Sequence, residues 1–154
     1  MAGFKFRLET FLKLKEQFEK NAKNELGVAI MKLEEEKSRL KVIEDNIDDT
    51  TNDLRNACAG VIRPEKIKDL KAYLERLQHE KDKQKEIVKR QQKNVDIIRE
   101  KLVEIMRERK VLENLKEREF QEYLKEETKK EQQQVDELVS FKENNNTADL
   151  LDDG

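Results

Sequence analysis

The chain of 154 residues is poor in the residues that most compact folds need. It contains four Gly, one Pro, one Cys, one His, two Tyr, six Phe and no Trp. So few Gly and Pro residues exclude a β-sandwich, which needs turn residues every ~8–12 positions. The continuous apolar strands of a doubly wound α/β domain are also missing. Long helices packed along narrow seams, or a disordered chain, remain.

Scarce residues also limit the chemistry. One Cys excludes an intramolecular disulfide, and Cys58 with His79 supplies too few ligands for a zinc site. The isolated glycines form no phosphate-binding loop. We therefore expect no enzymatic activity, no cofactor and no metal. The longest near-continuous apolar run, residues 28–31, is far short of the ~20 residues that span a bilayer, so we expect no membrane insertion.

Charged residues make up 44% of the chain and are unevenly distributed. Residues 1–59 hold 11 basic and 12 acidic side chains, residues 60–130 hold 21 and 16, and residues 131–154 hold 1 and 7. A candidate basic patch comprises Lys85, Lys89, Arg90 and Lys93. It lacks aromatic residues for base stacking, so we expect a charged helix face and no nucleic-acid partner.

Two rows of apolar residues spaced alternately by three and four predict helices that pair along a heptad seam. The first row runs from Leu26 to Val61. An upstream row of Phe11, Lys15, Phe18 and Ala22 meets it through a four-residue step, which predicts a stutter beside Gly27. The second row runs from Ile67 to Leu112, with polar Lys81, Gln84 and Gln91 in its middle.

Gly60 followed by Pro64 indicates that one helix ends and another begins, because Gly suits a helix end and Pro a first helical turn. The fold class is therefore all-α: an elongated, antiparallel two-helix coiled-coil hairpin with a longer second helix. Residues 1–142 form this single domain, with helix 1 at about 4–59, a turn at 60–63 and helix 2 at about 64–141. Residues 143–154 are expected to be a disordered acidic tail.

The short turn places position i opposite roughly position 123 − i. Phe4, Phe6, Phe120 and Tyr123 should therefore meet at the open end. The apolar stripe of Val135, Leu138, Val139 and Phe141 either extends helix 2 or forms a docking segment. Self-association through exposed apolar residues off the seam, such as Ile30 and Val42, stays open.

The opening residues 4–16, FKFRLETFLKLKE, resemble the start of FliJ proteins: an aromatic pair one residue apart, then Leu and a Leu-rich basic helix. The chain length, the helical break near residue 60 and the composition are also similar. The resemblance implies a non-enzymatic, cytoplasmic protein of bacterial flagellum biogenesis and motility. Such a protein is peripherally associated with the export apparatus at the inner membrane.

The resemblance further implies three partners: the flagellar export ATPase hexamer, the cytoplasmic domain of the export-gate membrane protein, and export chaperones. By position on the hairpin, it assigns the ATPase-ring end to Phe4, Phe6, Leu8, Phe11, Phe120 and Tyr123. It assigns the gate contact to Leu40, Ile43, Tyr73, Leu74 and Leu77. Two alternatives stay open, a prefoldin-like holdase chaperone and a peripheral-stalk subunit of a rotary membrane ATPase.

Overall fold

The structure, a computed structural model, describes the backbone of residues 3–152 and the side chains of residues 3–147. Two helices follow each other along the chain, α1 (Glu9–Cys58) and α2 (Pro64–Asp152), and no strand occurs in the described range. The all-α helical hairpin predicted from the two rows is confirmed. Residues 1–2 of the predicted domain and 153–154 of the predicted tail lie outside the described range.

The hairpin divides into two compact units. Unit 1 combines Met1–Glu16 with Arg107–Gly154, and unit 2 is Gln17–Met106. In each unit, the segments of α1 and α2 that contact each other are antiparallel. In unit 2, for example, Glu25 pairs with Lys101, whereas the later Glu36 pairs with the earlier Gln84.

The core of unit 2 follows the two predicted rows. Its central cluster consists of Ala29, Leu33, Val95 and Ile98, with Leu26 and Val88 packed against it. Val95 is the most enclosed of them, with 1% of its surface exposed. Position 29 lies beside position 95, close to the residue that the 123 − i rule selects. The register of the hairpin therefore follows from the short link between the helices.

α1 begins at Glu9 and not near residue 4 as we predicted. The first hydrogen bonds run from the Glu9 N–H to the Phe6 carbonyl (3.1 Å) and from the Leu12 N–H to the Leu8 carbonyl (3.0 Å). In a helix, side chains two residues apart point in very different directions. Phe6 is buried and Phe4 is half-buried, and a non-helical start allows both to be covered.

The predicted stutter near Gly27 is wrong. Phe11 and Phe18 are exposed, whereas Leu12 and Glu19, one residue further along, are covered. Between residues 8 and 33, the covered positions include Leu8, Leu12, Lys15, Glu19, Ala22, Leu26, Ala29 and Leu33. These positions alternate steps of four and three without interruption. The seam therefore keeps its period by accepting Lys15 and Glu19, and the more apolar phenylalanines lie beside it.

The link between the helices comprises residues 59–63. α1 ends in a tightened turn in which the Ala59 N–H donates to the Asn56 carbonyl (3.1 Å), and α2 begins at Pro64 as predicted. No Gly in the described range has a positive φ. The break at Gly60 therefore does not use the left-handed conformation for which Gly is usually selected.

The polar stretch 48–53 does not interrupt α1. Thr50 is buried on the seam, and the Thr51 hydroxyl donates to the Ile47 carbonyl at 2.7 Å. At the other end, α2 continues to Asp152, beyond the residue 141 at which the sequence pattern ended it. There the Thr147 hydroxyl donates to the Glu143 carbonyl at 2.8 Å. That the tail from residue 143 is disordered in solution stays a prediction.

One buried polar layer crosses the seam of unit 2. The Gln84 side-chain amide donates to the Glu36 carboxylate at 2.6 Å and to the Glu36 carbonyl at 2.9 Å. Arg39 binds the other oxygen of the same carboxylate at 3.0 Å. Both Glu36 and Gln84 are 8% exposed. The layer fixes these two positions opposite each other, because a shift of register would leave both polar groups buried and unpaired.

Candidate partner-binding surfaces

An aromatic cluster of Phe4, Phe120 and Tyr123 holds the start of the chain against α2 in unit 1. The rings of Phe4 and Phe120 meet edge to face with centroids 5.3 Å apart, and Tyr123 lies 5.6 Å from Phe4. Edge-to-face pairs contribute ~0.5–1.5 kcal/mol beyond their area burial. Three of the four aromatic residues predicted to meet at this end therefore do so, and the fourth, Phe6, is buried in the same unit.

Three ion pairs also join residues 7–15 to α2 in unit 1. Lys116 binds Glu9 at 2.8 Å, Arg7 lies 3.9 Å from Glu119, and Lys15 pairs with Glu108. The Glu9–Lys116 pair lies in the first turn of α1, where an acidic residue also suits the helix dipole. These contacts fix the opening residues of the chain on α2.

The six residues predicted for the ATPase-ring end differ in what they offer to a partner. Phe6 is buried, and Leu8 and the aromatic cluster are half-buried in contacts of unit 1 itself. Phe11 is 57% exposed and does not belong to the seam on which we placed it. Leu14, which the sequence reasoning missed, is also exposed, at the i+3 position from Phe11. Phe11 is therefore the most accessible of the six predicted residues, and Leu14 lies exposed next to it on α1.

The five residues predicted for the gate contact are mostly seam residues of unit 2. Leu77 is buried, and Leu40, Ile43 and Leu74 are partly buried. Tyr73 is exposed, and the Arg76 guanidinium lies over its ring at 5.0 Å from the centroid. Arg76 was missed, although an Arg three residues after an aromatic residue on a helix is a recognisable signal.

The basic patch, Lys85, Lys89, Arg90 and Lys93, is exposed along α2 in unit 2. None of these four side chains forms an ion pair with another described side chain. Ile97, four residues after Lys93, lies on the same side of α2 and is 64% exposed. The patch therefore combines a net positive charge with an apolar side chain.

Unit 2 also has a groove that the sequence did not reveal. It has a volume of about 560 Å³, and Phe18, Ala22 and Ile105 form much of its apolar wall. The Glu25–Lys101 ion pair (3.8 Å) borders it. Phe18 lines the groove because it lies beside the seam. The same seam positions, with Glu19 covered in place of Phe18, show that the predicted stutter is wrong.

The last part of α2 in unit 1 is a helical arm, which we define as residues 128–147. Every side chain of the arm is exposed, and its hydrogen bonds join residues four apart, such as Gln132 to Asp136 (3.2 Å). Val135, Leu138, Val139 and Phe141 are between 50% and 63% exposed. The arm therefore carries an apolar stripe that no described part of the chain covers.

Within residues 3–152, neither helix has an apolar stretch suited to crossing a bilayer. The described residues also include no cluster of metal-binding side chains. Comparison with curated proteins and with solved structures gives no significant match. The family model described as "Flagellar FliJ protein" matches residues 4–147, nearly the whole chain. The chain therefore belongs to the FliJ family and is a component of the flagellar export apparatus.

Proposed function

We propose that this chain is a non-enzymatic stalk that binds the hexameric flagellar export ATPase through unit 1 and promotes its assembly and activity. Membership of the FliJ family supports the proposal. The observation that carries it is the construction of unit 1. The aromatic cluster and the ion pairs hold the chain start on α2, and Phe11 and Leu14 stay exposed on α1 beside them. A rigid support with free apolar side chains is what a docking surface requires.

The test is the ATP hydrolysis rate of the cognate export ATPase with and without the purified protein. Phe11→Asp should abolish most of the stimulation, since a charge replaces an exposed apolar contact and no core packing is lost. Val28→Asp is the matched control, because Val28 is an exposed apolar residue of α1 in unit 2. The proposal fails if the unmodified protein gives no stimulation, or if the control loses as much as Phe11→Asp.

We place the export-gate contact on unit 2, with Tyr73 and Arg76 as its exposed part and Leu40, Ile43, Leu74 and Leu77 as the seam beneath. Tyr73→Ala should weaken binding to the cytoplasmic domain of the gate protein in a pull-down while the melting temperature stays within ~2 °C. Leu77→Ala should lower the melting temperature because Leu77 is buried. If Tyr73→Ala binds the gate domain normally, the contact lies elsewhere.

The remaining features of the proposal are handling of export chaperones and a cytoplasmic location, peripherally associated with the export apparatus. Of the alternatives, a prefoldin-like holdase would need β-hairpins near the turn. Residues 59–63 contain no strand, which counts against it. A peripheral-stalk subunit would co-purify with membranes in a stable complex, and fractionation of a cell lysate separates that possibility from the export stalk.

A further inference from the structure

The arm lacks the packing that normally stabilises a helix. A helical segment that is not covered by tertiary contacts is marginally stable in water. The stripe of Val135, Leu138, Val139 and Phe141 covers one side of this segment at helical spacing. An exposed apolar stripe on an unpacked helix is what we expect of a segment that a partner covers when it binds.

The charge of the arm restricts the partner. Two basic residues of the arm, Lys129 and Lys130, precede the apolar stripe. The rest of the arm, together with the seven residues that follow it, carries seven acidic side chains and one basic side chain, Lys142. Asp136, Glu137 and Glu143 flank the apolar stripe and are exposed. A complementary surface must place positive charge around an apolar contact, because like charges at an interface are repelled.

The same chain carries a surface of that kind. The basic patch has four exposed cations without ion-pair partners, and Ile97 lies exposed beside them. Residues 83–93 contain five basic side chains and one acidic side chain. Both the acidic apolar arm and the basic apolar surface are therefore available on every copy of the protein.

We propose that the arm of one copy docks on the basic patch of a second copy, with Leu138 and Phe141 against Ile97 and the carboxylates of the arm against Lys85, Lys89, Arg90 and Lys93. The contact is small, so the dissociation constant should be on the order of tens of micromolar or weaker. Because the contact depends on exposed charge, it weakens as salt rises. This inference does not rest on the ATPase stalk proposed above.

Sedimentation velocity of the full chain tests the contact over a range of concentrations in low and high salt. The expected result is concentration-dependent association in low salt that high salt reverses. The variant Lys85→Glu, Lys89→Glu, Arg90→Glu should weaken association about tenfold or more, since several ion pairs are replaced by repulsion. The same reversal at Lys66, Lys68 and Lys71, also exposed on α2, is the matched control and should leave association unchanged.

A charge swap identifies the arm as the occupant. The arm variant Asp136→Lys, Glu137→Lys, Glu143→Lys should not associate alone, and a mixture of the arm variant and the patch variant should associate again. Helicity measured by circular dichroism confirms that each variant is folded. Three results overturn the proposal: a monomer at all concentrations in low salt, no restoration in the mixture, or a salt effect that is independent of concentration. The last result means that the arm binds its own chain.

Discussion

We predict that the same substitution, Gln→Leu, has opposite effects on the free energy of unfolding at two positions of α2. Gln84 and Gln91 both lie on the seam row of unit 2. The Gln84 amide makes two hydrogen bonds to Glu36, whereas the Gln91 side-chain oxygen is buried without a hydrogen-bond partner. Leu is similar in size to Gln, so each substitution removes the side-chain amide with little change in packing. The difference between the two variants therefore reports the effect of the hydrogen bonds at position 84.

Gln84→Leu should lower the free energy of unfolding by ~1–3 kcal/mol, because the buried Glu36 carboxylate loses its partner across the seam. Gln91→Leu should raise it by about 1 kcal/mol, because a buried acceptor without a partner is removed. Combining Gln84→Leu with Glu36→Leu should recover most of the loss, since replacing both partners of a buried polar pair by apolar groups is often nearly neutral.

Urea unfolding followed by circular dichroism at 222 nm measures five proteins: the unmodified protein, the single variants Gln84→Leu, Gln91→Leu and Glu36→Leu, and the double variant. For a chain of this length, 1 kcal/mol corresponds to a shift of ~2–4 °C in melting temperature. The double variant should differ from the sum of the single variants by ~1–3 kcal/mol. The reasoning is refuted if the two Gln→Leu variants change stability in the same direction, or if the effects of Glu36→Leu and Gln84→Leu are additive.

Two further predictions concern single features of the helices. Gly27→Ala should stabilise the protein by ~1 kcal/mol, because a Cβ at this position meets no atom within 4 Å and Gly27 lies inside α1; a lower melting temperature would contradict this. Backbone amides of residues 131–147 should exchange with solvent much faster than those of residues 88–102, because unpacked helical segments open locally. Equal protection of the two segments by hydrogen-exchange mass spectrometry, at concentrations where the protein is monomeric, would show that something covers the arm.

The helices and their pairing could be predicted because the signals are local. Leucines and isoleucines spaced by three and four define the seam, and Pro64 marks where α2 begins. The link is short, so it also fixes the register, and Phe4 indeed meets Phe120. No such local signal existed for the start of α1, where the burial of Phe6 against the rest of the protein prevails over helix propensity.

The seam residues near the chain start were predicted wrongly because the most apolar residues there do not follow the heptad period. Phe11 and Phe18 are more apolar than Leu12 and Glu19, but only the latter pair continues the period of the rest of α1. The pairing of Gln84 with Glu36 was missed for a related reason. Each residue alone weakens an apolar row, and only the three-dimensional register shows that they satisfy each other.

The candidate surfaces could be predicted less well than the fold. The aromatic meeting point followed from the register, whereas the exposure of Phe11 and Tyr73 did not. A heptad row cannot distinguish a seam residue from one that also serves a partner. Leu77 is an example: it is buried in the seam, so packing within the protein is enough to account for a leucine at this position.

The link between the helices has a practical consequence. Residues 58–66 are all exposed, and Gly60 is not in a backbone conformation restricted to Gly. A short flexible insertion there would lengthen the link, but the Glu36–Gln84 layer would still hold the register, and neither the aromatic cluster, the polar layer nor the arm includes a residue of the link. The loop is thus a site for attaching a fluorophore or a small reporter domain, which would leave the surfaces assigned to partners unmodified.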